Sequence, residues 1–197
     1  MTIGYDAGVY DSKSRLAFSS RALAAYLKRG GLIAYPTEYC YGLGCDPDNR
    51  EAVMRLLKIK RRPQRKGLIL IASHFNQIAR YLQPLSLSEQ GHLKNSGDRA
   101  VTYLMPTHHS APRWLRGSHE TLGVRLTAHR QAAQLCRSLN SALVSTSANR
   151  GGKQPARSYE QCLRYFGSTV LVLPGRVGKA RKPSMISAWA DGKIIRK

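Results

Sequence analysis

Acidic residues are scarce. Asp and Glu total 11 against 32 Lys and Arg in 197 residues, a formal net charge of +21. Such an imbalance points to a polyanionic partner or a phosphate-rich substrate, and it sets a self-repulsion that the fold must outweigh. Long apolar runs are missing too. None approaches the ~20 residues that a spanning helix needs, and the opening MTIGYDAGVYDSKSR lacks a signal-peptide core. The expectation is a soluble cytoplasmic protein with no membrane partner. The four cysteines, Cys40, Cys45, Cys136 and Cys162, form no CxxC pair and no zinc spacing. Free buried thiols in a reducing compartment are the favoured reading, with a Cys40–Cys45 redox pair as a remote second. The six histidines give no HExxH, and His108-His109 reads as surface loop, so no protein metal site is expected. No GxxxxGK[ST] loop is present, and Gly42-Leu43-Gly44 lacks the third glycine of a dinucleotide fingerprint. If a nucleotide binds, side chains must do much of the phosphate work.

The 42% apolar content suffices for one domain with a sizeable core, and no repeat or linker divides it. Helical and strand signals alternate, which favours α/β. Ser19 and Ser20 can cap a helix that Gly30 and Gly31 stop. Residues 32–35 read as a short buried strand ended by Pro36. Asn49 can cap a second helix with Ala52, Val53, Leu56 and Leu57 on its apolar face. The apolar run 68–72 reads as a buried strand, with further strands at 101–105, 122–126, 142–145 and 169–173. Helices fit 131–139 and 159–166, the latter with Ser158 and Gln161 spaced as a capping box. Residues 184–196 read as a hairpin around Asp191-Gly192.

Three basic segments stand out. Residues 52–88 contain no acid and carry Arg55, Lys58, Lys60, Arg61, Arg62, Arg65 and Lys66. A second acid-free interval, 121–159, holds Arg125, Arg130, Arg137, Arg150, Lys153 and Arg157; Arg176, Lys179, Arg181 and Lys182 form the third. Cations at a helix end oppose its dipole, yet the crowding at 60–66 exceeds that need and favours phosphate binding over a solvated basic face. The stretch Ser145-Thr146-Ser147-Ala148-Asn149-Arg150-Gly151-Gly152 follows a strand and offers hydroxyls, an amide and backbone N–H groups to a ligand. By itself it also fits an ordinary polar turn. The segment 35–46 runs from a strand through Pro36 into aromatics and glycines. Glu38 and Asp46 fit a carboxylate pair, though Asp46 fits the start of an Asp-Pro-Asp turn better. Anion-binding groups abound and no nucleophile is evident, a balance suited to phosphoryl or nucleotidyl transfer.

Taken in order, five motifs resemble the YrdC/TsaC family of threonylcarbamoyl-AMP synthases, in its short single-domain bacterial form. They are PTxxxYGLGCD at 36–46, KxRP at Lys60, Arg62 and Pro63, VRxT at 124–127, SxN at Ser147 and Asn149, and Pro183-Ser184. The resemblance implies a twisted mixed parallel/antiparallel sheet flanked by helices, with a basic cavity at strand ends. It sets a YrdC-like domain at 15–197 behind an N-terminal extension at 1–14. The implied reaction joins L-threonine, bicarbonate and ATP into L-threonylcarbamoyl-AMP with release of pyrophosphate. The product serves threonylcarbamoyladenosine modification of tRNA adenosine 37, with transfer to tRNA left to separate proteins. By the same resemblance Lys60, Arg62, Ser147 and Asn149 are catalytic and, with Thr102, bind ATP. Thr37, Lys66, Arg125, Ser145 and Ser184 hold L-threonine, with Arg125 on its carboxylate. Mg2+ accompanies ATP, held by phosphates more than by protein. The chain departs from the pattern at Asp98-Arg99-Ala100, at Gly151-Gly152, at Met185 and at Lys66, where some relatives carry His. The rival reading is a module binding tRNA, double-stranded or other structured RNA in ribosome assembly. It uses the large charge but leaves the SxN and YGLG segments unexplained, and aromatics for base stacking are only 8%. A carbamoyl phosphate-using relative is the other rival, and no zinc-finger or acylphosphatase-like region accompanies it here.

Overall fold

The computed structural model describes residues 19–95 and 100–196. The extension expected at 1–14 lies outside them, as do Asp98 and Arg99 of the departing turn. Helix α1 (Ser20–Lys28) begins where the Ser19 hydroxyl accepts from Ala22 N at 3.1 Å, and the chain leaves it through Gly30 at φ 89°. In α2 (Arg50–Lys60) the Asn49 side chain accepts from Ala52 N at 2.9 Å. Both caps satisfy amides that have no partner inside the helix. Helices α3 (Leu87–Asn95), α4 (Arg113–Arg116) and α5 (Arg130–Leu139) follow, then α6 (Tyr159–Phe166). The box before α6 closes one residue early. Ser158 accepts from Gln161 N at 3.2 Å, while the Gln161 side chain accepts from Arg157 N at 2.8 Å.

The strands are β1 (Ile33–Pro36), β2 (Tyr41–Gly44), β3 (Ile69–Ala72), β4 (Val101–Pro106), β5 (Thr121–Leu126), β6 (Leu143–Ser147), β7 (Leu171–Val172), β8 (Met185–Ala188) and β9 (Ile194–Arg196). They form a single mixed sheet in the order β7-β1-β2-β6-β3-β5-β4-β8-β9. Pairs β1–β7, β3–β5 and β4–β8 are parallel and the others antiparallel. Alternate residues face opposite layers. Ile33, Tyr35, Ile71 and Leu143 join Leu23 and Leu27 of α1 and Leu135 of α5 on one face. Ala34, Leu70, Val124 and Val144 join Leu56 of α2 and Phe166 of α6 on the other. Continuous apolar strand runs are thus explained by burial from both sides.

In the sequence, β2 falls within the aromatic and glycine segment after Pro36 and carries no strand signal of its own. It is a strand because β1 and β6 flank it, and its glycines are required by that crowding. A Cβ on Gly44 would lie 2.5 Å from Val144 O and 2.9 Å from the Tyr35 ring. Gly44→Ala is expected to destabilise the protein by about 1–3 kcal/mol through overpacking, read as a lowered Tm. All four cysteines are buried and free, and burial pushes the Cys40 thiol up to about 11. Asp46 accepts from Asp48 N at 2.9 Å and so serves its own turn, while Glu38 pairs elsewhere.

Candidate active site

Helices α1 and α5 cover only part of their face of the sheet. Beyond them a cavity of about 650 Å³ opens, a size suited to a small-molecule substrate. Its floor comes from strand residues, with Gly42, Ser145, Ile69, Gly123, Leu104 and Ile186 contributed by six neighbouring strands. Small residues leave the room. The cavity therefore spreads over the sheet face and is not confined to the strand ends, where the family resemblance set it. Arg62, Lys66, Arg116, Arg125 and Arg196 line it with His119, and among the described residues no Asp or Glu does.

Two glycine turns build the cationic rim. After α2 the chain turns through residues 64–66 to Gly67 at φ 59°, and after α4 it turns at Gly117 at φ 64°. A Cβ on Gly117 would lie 2.6 Å from the carbonyl oxygens of Gln64 and Arg65, so only glycine lets the turns back onto each other. Arg62 donates to Gly67 O from Nη2 at 2.9 Å and from Nε at 3.2 Å, which pins its guanidinium to its own turn. Arg116 donates to His119 O at 2.6 Å.

The SxN loop leaves β6. Ser147 Oγ donates to Asn149 Oδ1 at 2.7 Å, and Asn149 Nδ2 donates to Lys153 O at 2.6 Å. Lys60 reaches this loop from the end of α2. Its Nζ donates to Asn149 O at 2.8 Å, to Asn149 Oδ1 at 3.1 Å and to Ser147 O. Burial, and then neighbouring Arg62, push the Lys60 ammonium down to about 8. On the other wall Thr102 Oγ1 and Ser184 Oγ share a hydrogen bond of 2.9 Å, and Arg196 donates to Ser184 O at 2.7 Å. Arg125 lies against Glu38, 3.3 Å from Nη2 to Oε2.

Of the residues singled out in the sequence, Thr37, Arg62, Lys66, Arg125, Ser145, Ser147, Asn149 and Ser184 line this one cavity. Lys60 and Thr102 are not among the lining residues; each is buried and bonded to one that is. The Thr37 hydroxyl donates to Cys40 O at 2.7 Å and so also shapes its turn. The basic segments do not all converge. Arg176, Lys179, Arg181 and Lys182 are exposed and outside the lining. Sequence reading missed Arg116, His119 and Arg196. Gly67 and Gly117 are local marks of tight turns, but nothing local in the sequence says that the two turns meet.

A cation-lined cavity on a mixed sheet, with a lysine-braced hydroxyl and amide loop on its wall, defines an α/β protein built to bind a compact anion. The Sua5/YciO/YrdC family model, described as "Telomere recombination", matches residues 25–197, and the chain belongs to that family. It is 50% identical over 177 residues to a threonylcarbamoyl-AMP synthase of Methylobacillus flagellatus, covering 90% of this chain and 98% of that relative. It is 48% identical over 174 residues to the enzyme of that name from Thiobacillus denitrificans, covering 88% and 93%. Among solved structures it is similar to P. abyssi Sua5 complexed with L-threonine, with a TM-score of 0.78 and 26% identity. That match covers 86% of this chain and about half, 50%, of the Sua5 chain. E. coli YciO shares the fold, with a TM-score of 0.75 at 21% identity, 90% of this chain and 88% of that one.

Proposed function

We propose that this chain makes L-threonylcarbamoyl-AMP from ATP, L-threonine and bicarbonate, with release of pyrophosphate, for modification of tRNA adenosine 37. The observation that carries the reading is the meeting of Arg62, Lys66, Arg125, Ser147, Asn149 and Ser184 in one cation-lined cavity. Half identity to threonylcarbamoyl-AMP synthases supports it, as does the L-threonine bound to the Sua5 neighbour.

The amino group of L-threonine and bicarbonate give the N-carboxylated amino acid with loss of water. A carbamate oxygen attacks the α-phosphorus of ATP, the bond to the β-phosphate bridging oxygen breaks, and pyrophosphate leaves. Negative charge gathers on phosphate oxygens in the transition state, and fixed cations there act without reorganising. In this reading Lys60, Arg62, Ser147 and Asn149 serve the ATP side, with Thr102 near the nucleotide. Thr37, Lys66, Arg125, Ser145 and Ser184 hold L-threonine, and the planar fork of Arg125 takes its carboxylate. Mg2+ fits only as a companion of ATP. The lining offers cations and neutral oxygens, so its ligands would be phosphate oxygens and water, and it would supply further charge neutralisation. The domain concerned is 15–197 in the cytoplasm, and separate proteins carry the product to tRNA. No helix among the described residues is long and apolar enough to cross a membrane.

Incubation with ATP, Mg2+, bicarbonate and L-threonine tests this, with pyrophosphate release and mass spectrometry of the adenylate as readouts. Adenylate is expected only with threonine and bicarbonate present, and Asn149→Ala is expected to lower its rate about 100-fold. L-Serine lacks one methyl, which contributes about 1–3 kcal/mol of discrimination, so serine should react 10–200-fold less efficiently. A folded, ATP-binding protein that forms no adenylate would sink the proposal. A second reading, RNA binding, draws on the exposed cluster Arg176, Lys179, Arg181 and Lys182. Titration with tRNA or double-stranded RNA would then give log affinity falling steeply with log salt, at roughly −0.7 to −0.9 per phosphate contacted.

A further inference from the structure

One carboxylate stands directly behind the cationic wall. Glu38 lies in the chain between Thr37 and Tyr39, which both line the cavity, yet Glu38 itself is not among the lining residues. Its Oε1 accepts from the Thr127 hydroxyl at 2.7 Å and from His129 N at 3.4 Å. Its Oε2 lies 3.3 Å from Arg125 Nη2, with the two side chains 13% and 10% exposed. The pair is nevertheless incomplete. Glu38 Oε2 and Arg125 Nε are both buried without a hydrogen-bond partner.

A buried pair that leaves a donor and an acceptor unmet is poor at stabilising a fold, because each orphaned group keeps its desolvation cost. Positioning explains the arrangement better. Arg125 shares the cavity with Arg62, Lys66 and Arg196, and repulsion among these cations works to displace it. Glu38 is anchored independently of Arg125, by the Thr127 hydroxyl on its side chain and by Ala180 N donating to Glu38 O at 3.0 Å. Burial pushes the Glu38 carboxyl up, but Arg125 and the Thr127 hydroxyl outweigh it and hold the group below the usual carboxylate range. It is therefore an anion at neutral pH.

We infer that Glu38 is a positioning residue for amino-acid binding: it tethers Arg125 through Nη2 so that the part of the guanidinium that lines the cavity is held toward the substrate carboxylate. The inference rests on the proposed use of Arg125 for the L-threonine carboxylate. It also assigns Thr127 and the His129 amide a purpose, since they fix the carboxylate that fixes the arginine. The opposite role is physically open to a carboxylate in this place. If Glu38 competed with the substrate for Arg125, its removal would tighten binding.

Calorimetric titration of the full chain with L-threonine and with L-threonine amide, which lacks the carboxylate, separates these roles. Glu38→Gln keeps an oxygen for Thr127 and all backbone bonds but removes the charge. It is expected to weaken L-threonine binding about tenfold, the scale of a charge-assisted contact, and to leave the amide unchanged. In turnover the KM for threonine should rise while kcat and the KM for ATP stay within twofold. Glu38→Asp should recover part of the threonine affinity. Should Glu38→Gln melt too early to measure, Thr127→Val, which removes only the hydroxyl on Oε1, reads the same threonine-to-amide ratio in the same direction. Unchanged or tighter threonine binding in these variants overturns the inference. So does an equal loss for threonine and its amide, which marks general damage to the cavity. Wild-type protein that binds no L-threonine overturns the underlying functional reading, and the inference falls with it.

Discussion

Lys60→Ala is expected to slow adenylate formation by about 10²–10³-fold, the usual effect of removing one preorganised donor from developing charge. Two losses combine. The positive charge behind the SxN wall of the cavity is lost, and Ser147 O, Asn149 O and Asn149 Oδ1 lose their shared donor. Single-turnover rates separate them. If Lys60 only braces the loop, ATP affinity falls and the chemical step at saturation is preserved; if its charge serves the reaction, the step itself slows. A loss under tenfold would remove Lys60 from the reaction. The same residue sets a pH dependence. With its ammonium lowered to about 8 by burial and by Arg62, the charged form dominates below that pH and is lost above it. kcat/KM for ATP should therefore fall as pH rises through 8. Bound ATP favours the ammonium, so the corresponding fall in kcat lies at higher pH. In Lys60→Arg, whose guanidinium stays protonated, the limb near 8 should vanish whatever the residual rate.

Lys60 also marks how far the sequence could be read. Its place at the end of a capped helix was legible, because Asn49 and the apolar positions 52, 53, 56 and 57 are local signals. Its membership of the cationic group was legible from charge density. Its contact with the SxN loop was not, since the two segments meet only when β2 and β6 pair. The same limit hid β2 itself, whose glycines look like turn residues until Tyr35 and Val144 crowd them. It hid α3 and the four-residue α4, whose short segments carry little periodic signal. The C-terminal hairpin was legible at Asp191-Gly192. That it carries Arg196 to the Thr102–Ser184 contact depends on parallel pairing of β8 with β4. The motifs picked out eight residues that line the cavity, and long-range pairing decided which of the candidates face it and which stand behind.

If Arg125 holds the substrate carboxylate as proposed, Arg125→Ala is expected to reduce kcat/KM for L-threonine about 100-fold or more, with ATP binding nearly unchanged, because that carboxylate loses its charge-assisted partner. It should also cost about 3 kcal/mol of stability at neutral pH. The cause is the charge left behind: Glu38 is 13% exposed in its side chain and would stay buried without its cation. The pH dependence distinguishes this from simple loss of packing. In the wild type the Glu38 carboxyl is held below its usual range, so its contribution is present at neutral pH and is lost as pH falls through the folded value. Without Arg125 the folded value rises, and the difference between the two proteins disappears as acid neutralises the group. The gap in Tm between Arg125→Ala and wild type should therefore narrow on acidification. Glu38→Gln combined with Arg125→Ala should recover much of the stability at pH 7 and none of the threonine affinity. Recovery of both would mean that Arg125 acts on the fold alone. Recovery of stability without binding separates the arginine's part in the buried pair from its proposed part at the substrate.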